Sequence, residues 1–128
     1  MFGIDGTRTT ARLQAGVPVP RPIAVNAQID TGCNVTLVSA AVLHSLGIVS
    51  HRTTQSTSTA GAWAVRLFMV SLSIVGPTGM GPSLVQPSLE VVELTTPIPN
   101  IDVLLGMDVL LQCRLLIDGP ARQFTLMF

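Results

Sequence analysis

The chain has 128 residues, 48% apolar and only 11% charged, with seven arginines, no lysine and seven acidic residues for a net charge of zero. A chain this apolar and weakly charged does not match the composition of disordered proteins, and its scattered arginines (8, 12, 21, 52, 66, 114 and 122) form no basic patch, which disfavours a nucleic-acid partner. The length suits one domain, residues 1–128, burying roughly two-thirds of its unfolded surface, and the apolar surface left over is expected to be covered by self-association.

Strand patterns dominate the pass along the chain. Phe2 to Leu13 is rich in Thr and reads as a strand or ribbon broken by the Asp5-Gly6 turn signal. VPVPRP at 17–22 removes three ladder donors and reads as a connector or a sheet edge. In the next segment Ile23, Val25, Ala27 and Ile29 alternate with Ala24, Asn26 and Gln28, the period of a half-buried strand, and the run leads straight into Asp30-Thr31-Gly32. Val35 to Val38 is a second short apolar run. Ser39 then reads as the N-cap of a short helix, Ala40 to Leu46, which Gly47 ends.

Residues 50–62 are almost all Thr, Ser, Ala, Gln and Gly, and read as an exposed, mobile hairpin. Trp63 to Val75 is a strongly apolar strand pattern, GPTGMGP at 76–82 a loop, Leu84 to Leu94 a strand and TTPIPN at 95–100 a turn. Ile101 to Leu105 reads as a buried strand that ends at Gly106. Asp102 reads as a turn residue, and Asp108 as the N-cap of a short helix through Gln112. Arg114 to Asp118, a Gly119-Pro120 turn and Gln123 to Phe128 form a C-terminal hairpin. The whole is an all-β domain with one or two short helices.

Cys33 and Cys113 make no disulfide framework; a single bridge between them stays open, and buried free thiols are the expected state. Together with His44 and His51 they include zinc-binding residue types, but no close ligand pair exists, so no metal and no other cofactor is expected. No apolar run reaches the ~18 residues of a membrane span, and the first residues lack the pattern of a signal peptide. No membrane partner is therefore expected, and a soluble, cytoplasmic protein is the weakly favoured reading.

The strongest chemical signal is the apolar strand running into Asp30-Thr31-Gly32, with a second apolar strand, Val103-Leu104-Leu105, ending at Gly106 before a helix. The segments AQIDTGCNVTLVS and IDVLLGMDVL, in this order and about 75 residues apart, resemble those of the retropepsin-like aspartic proteases. That family holds the retroviral proteases, a domain of the DNA-damage-inducible ubiquitin-shuttle proteins and bacterial relatives, with the bacterial branch the expected one here. The resemblance implies a closed acid-protease barrel, homodimeric, with a flap at about 53–63 and a C-terminal dimer strand at about 123–128, which Met1 to Ile4 would join. It implies catalytic roles for Asp30, Thr31 and Gly32: Asp30 as acid or base, Thr31 bracing the loop against its dimer partner, Gly32 admitting backbone and water. Two departures stand out. Cys33 occupies a position where Ala or Ser is usual, and the flap carries one glycine.

One such motif in a chain of this length implies that Asp30 meets Asp30 of a second copy across a two-fold axis. Two close carboxylates cannot both ionise, so one serves as acid and one as base. Ala60, Gly61, Ala62 and Trp63 are candidate substrate-binding residues of the flap, although Trp63 also suits a core. Asn34 suits either the substrate backbone or a plain Asx-turn. The expected function is an aspartic endopeptidase acting on an extended peptide or protein substrate. The competing readings are a peptide-binding or dimerisation module of the same fold with little or no proteolytic activity, and a monomeric β domain in which Asp30 to Gly32 is only a turn.

Overall fold

Side-chain alternation decides where the core lies. In the longest strand Val70, Leu72 and Ile74 are all buried, and they meet Val38, Val91, Val103 and Leu105 from neighbouring strands and Leu43 and Val109 from two helices. The computed structural model describes residues 2–6, 22–76 and 83–128. In chain order its elements are β1 (Phe2–Gly6), β2 (Ile23–Val25), β3 (Ala27–Ile29), β4 (Leu37–Ser39), α1 (Ala40–Ser45), β5 (Arg52–Ser58), β6 (Gly61–Ile74), β7 (Leu84–Leu94), β8 (Val103–Leu105), α2 (Met107–Leu110), β9 (Arg114–Asp118) and β10 (Gln123–Met127). The connector expected at 17–22, apart from Pro22, the strand continuation at 7–13 and most of the loop expected at 76–82 lie outside the described residues.

The first eight strands form one sheet in the order β2-β1-β6-β7-β4-β8-β3, with β5 added to the near half of β6. β6 is long enough to serve two purposes: Gly61 to Leu67 pairs with β5, and Leu67 to Ile74 pairs with β7. The β6–β7 ladder slips between Val70 and Leu72, opposite Pro87 and Ser88. Proline has no amide hydrogen to give to a ladder, so a bulge is where a strand can hold one.

The expected closed barrel is not what forms. The sheet is an open, curled half-barrel whose end strands β2 and β3 make no ladder with each other, and its edges stand 19 Å apart. The reason is local. β2 and β3 are successive pieces of one extended run that breaks at Asn26, so they lie end to end, and β2 pairs with β1 while β3 pairs with β8. Asn26 is tied down at this break: its amide donates to Asp102 Oδ2 (2.9 Å), and its carbonyl accepts from the amides of Asp102 (2.8 Å) and Val103 (3.1 Å). Asp102 is thus a staple between β3 and β8 and more than a turn residue.

Other expectations meet the structure at particular residues. Ser39 caps α1, its Oγ accepting from the Val42 amide at 3.3 Å. Asp5 and Gly6 do not turn; they stay in the ladder opposite Ser71 and Val70. Phe2, Gly3 and Ile4 pair with β2 on one side and β6 on the other, so both edges of this segment are used within the chain, and it does not join the C-terminal strands as expected. Those strands, β9 and β10, form a separate two-stranded sheet with Phe124 opposite Ile117 and Leu126 opposite Leu115.

Candidate active site

Asp30 follows directly on β3, where its amide donates to the Leu105 carbonyl at 3.0 Å. The parallel pairing of β3 with β8 therefore continues into the acidic residue and fixes where the next turn starts. The turn closes at once: the Cys33 amide donates to the Asp30 carbonyl (3.2 Å), the Gly32 amide to Asp30 Oδ1 (3.0 Å), and the Cys33 thiol to Asp30 Oδ2 (3.2 Å). Each carboxylate oxygen thus receives one donor from its own loop and keeps lone pairs for other partners. Asp30 is half-buried; Thr31, Gly32 and Asn34 are exposed. A methyl group at Gly32 would sit 3.2 Å from Asp30 Oδ1, so a side chain there would crowd the carboxylate.

The loop is held from beneath by β8 and α2. The Met107 amide donates to the Cys33 carbonyl (2.8 Å) and the Asp108 amide to the Asn34 carbonyl (3.1 Å). Thr36, fully buried, gives its amide to Asp108 Oδ2 (2.9 Å) and its hydroxyl to Asp108 Oδ1 (2.7 Å), and accepts the Gly106 amide at Oγ1 (3.1 Å). Asp108 is therefore not the expected N-cap. Gly106 occupies that place, and Asp108 stands one residue inside the helix, binding across to the loop. Gly106 is required by contact: a Cβ there would lie 2.5 Å from the backbone carbonyl of Val35, which has nowhere to yield.

Thr36 was not among the sequence candidates. The signal available was one hydroxyl inside the apolar run Val35 to Val38, which demands a partner once buried. The identity of that partner, 72 residues away, is set by the fold.

The electrostatics of the loop are lopsided. Burial pushes the Cys33 thiol up to about 11, and its hydrogen bond to Asp30 and the charges of Asp30 and Asp108 act in the same direction. Cys33 and Cys113 are both free thiols, so the bridge left open by the sequence is not made. Among the described residues no group of three His, Cys, Asp or Glu side chains is placed to hold a metal ion, and no helix is long and apolar enough to cross a membrane.

β5 and β6 form a hairpin closed by Thr59 and Ala60, with Ser58 opposite Gly61. Gly61 has φ +119°, a region that favours glycine. The candidate residues Ala60, Gly61, Ala62 and Trp63 are all exposed at this tip, and among the described residues no hydrogen bond joins them to the Asp30 loop. At its base the hairpin is strapped to β7 by two bidentate ion pairs. Arg52 binds Glu90 (3.0 and 2.6 Å), with His51 2.6 Å from the same carboxylate, and Arg66 binds Glu93 (2.9 and 2.6 Å). The Arg52 hydrogen bond holds Glu90 down at about 2, and the Arg66 hydrogen bond lowers Glu93 as well.

Residues 16–109, well over half of the chain, match the model of a family described as aspartyl protease. The chain belongs to the aspartyl protease family. The matched stretch contains both the Asp30 loop and the Gly106 to Asp108 support beneath it, and it ends before the C-terminal hairpin of this aspartyl protease family member. A comparison with curated proteins gives no match.

Proposed function

We propose that the protein is an aspartic endopeptidase that works as a homodimer, with Asp30 of each copy supplying one of two catalytic carboxylates. The observation that carries this reading is the way the Asp30 carboxylate is held: oriented by two donors from its own loop, with coordination capacity left over. The other carboxylates whose surroundings are described are engaged elsewhere. Asp102 binds Asn26, Asp108 binds Thr36, Asp118 accepts from the Ala121 amide, and Glu90 and Glu93 bind arginines. A second carboxylate for the reaction then comes from a second copy.

The chemistry follows from two acids that share one proton. The ionised carboxylate takes a proton from a bound water as its oxygen attacks the peptide carbonyl carbon. The protonated carboxyl gives its hydrogen to the carbonyl oxygen, and the resulting tetrahedral species collapses as the leaving nitrogen is protonated. In this reading Thr31, exposed beside Asp30, meets its counterpart across the two-fold axis. The β5–β6 hairpin serves as the flap, with Ala60 to Trp63 and Asn34 lining an extended peptide.

The C-terminal hairpin supports the dimer. A two-stranded sheet is marginal alone, and this one carries exposed Leu116, Ile117, Phe124 and Met127, with Phe128 just beyond. A cleft of about 510 Å³, lined by Ala27, Ile29, Leu115, Ile117 and Phe124, separates it from β3. Such a surface is covered most simply by the same surface of another copy.

The test is Asp30→Asn with a diverse peptide mixture between pH 3 and 7. Cleavage by the native chain and none by the variant, with equal dimer content by sedimentation, supports the proposal. Native protein that binds a transition-state mimic without cleaving any peptide would favour the binding-module reading. Cleavage that survives the substitution would remove Asp30 from the chemistry.

A further inference from the structure

Among the described residues the Cys33 thiol is the one side chain that donates to the Asp30 carboxylate, and it stands where the family resemblance leads one to expect Ala or Ser. Its placement is not loose. The Cys33 amide is bonded to the Asp30 carbonyl and its own carbonyl receives the Met107 amide, so backbone contacts on both sides set the sulfur 3.2 Å from Oδ2.

We infer that Cys33 is a positioning residue for Asp30: its S–H on Oδ2, opposite the Gly32 N–H on Oδ1, fixes the rotation of the carboxylate. The catalytic side of this inference rests on the function proposed above. A thiol is a weak donor, so the expected strength lies between that of a hydroxyl and that of a methyl group, which donates nothing. The bond works in both directions. A proton engaged with a carboxylate is hard to remove, and the charges whose fields reach this sulfur are Asp30 and Asp108, both negative. The thiol is therefore kept protonated and poorly nucleophilic while Asp30 is ionised.

Two measurements test this, and only one needs catalysis. In the first, kcat and KM for peptide cleavage are compared for the native chain, Cys33→Ser and Cys33→Ala. kcat should be highest for serine and lowest for alanine, each step about threefold with KM little changed, the scale of a modest hydrogen bond. Three equal kcat values would overturn the inference.

In the second, alkylation by iodoacetamide is followed by mass spectrometry at Cys33 and Cys113 in the native chain and in Asp30→Asn. Cys113 is also held up by burial, its thiol donates to the Val109 carbonyl, and among the described residues it has no carboxylate partner, so it is an internal standard. The ratio of Cys33 to Cys113 rates should rise severalfold in the variant, because removing the negative charge beside the sulfur makes the thiol easier to ionise. An unchanged ratio would show that the thiol does not sense Asp30. If no form of the protein cleaves peptide, the proteolytic reading fails by itself, and the alkylation ratio still decides whether the bond exists.

Discussion

Thr36 and Asp108, 72 residues apart in sequence, meet through two hydrogen bonds, amide to Oδ2 at 2.9 Å and hydroxyl to Oδ1 at 2.7 Å. This contact joins the loop that carries Asp30 to the helix that follows β8. Thr36 has no exposure to water, so its donors have no replacement partner if the carboxylate is removed. Asp108→Ala should therefore cost about 2–4 kcal/mol, more than the roughly 1 kcal/mol expected from losing an ordinary helix cap. In a urea-denaturation cycle with Thr36→Val, the two changes should show a coupling of about 1 kcal/mol or more. Additive effects would mean that the two side chains do not act as a unit.

The straps at the base of the hairpin respond to acid with a definite sign. Glu90 is held at about 2 when folded, against an ordinary value of 4.5. Between those values the unfolded chain binds the extra proton, so the contribution of this group is complete above about pH 5 and is lost as pH falls toward 2. Glu90→Gln should lower the urea midpoint at pH 6, and the gap to the native chain should close as pH drops from about 5 to 2. A gap that stays constant over that range would mean the Arg52–Glu90 pair is screened out by solvent.

The association proposed for the C-terminal hairpin can be tested apart from folding, because Ile117 and Phe124 lie opposite each other and are 71% and 60% exposed in the single chain. Phe124→Asp should leave the circular dichroism spectrum and melting point of the monomer nearly unchanged. In a dimer it would bury an unpaired charge, and the dissociation constant should rise by about thirtyfold or more, as for a central interface residue. Unaltered sedimentation at micromolar concentration would place the interface elsewhere.

Much of this architecture was legible in local sequence. Ser39 and Gly47 bracket the first helix, Gly119-Pro120 opens the turn of the C-terminal hairpin, and the alternation from Ile23 to Ile29 leads to Asp30, because caps, turns and pleats are set within a few residues. The misreadings fall where distant segments meet. The Asp5-Gly6 turn signal loses to a ladder with Ser71 and Val70, and the cap expected at Asp108 loses to a pairing with Thr36. Closure of the barrel depends on which strands lie side by side. The half-buried run from Ile23 to Ile29 does not disclose that its two parts pair with β1 and β8 in turn.

The most direct test of a shared pair of Asp30 carboxylates is subunit mixing. Native chain and Asp30→Asn are combined in varied ratio at constant total concentration, allowed to exchange, and assayed for peptide cleavage. If each site needs Asp30 from both copies, the rate follows the square of the native fraction, falling to one quarter at equal proportions. A rate that falls linearly, to one half, would mean that a single chain carries out the reaction, and the two-carboxylate account would be wrong.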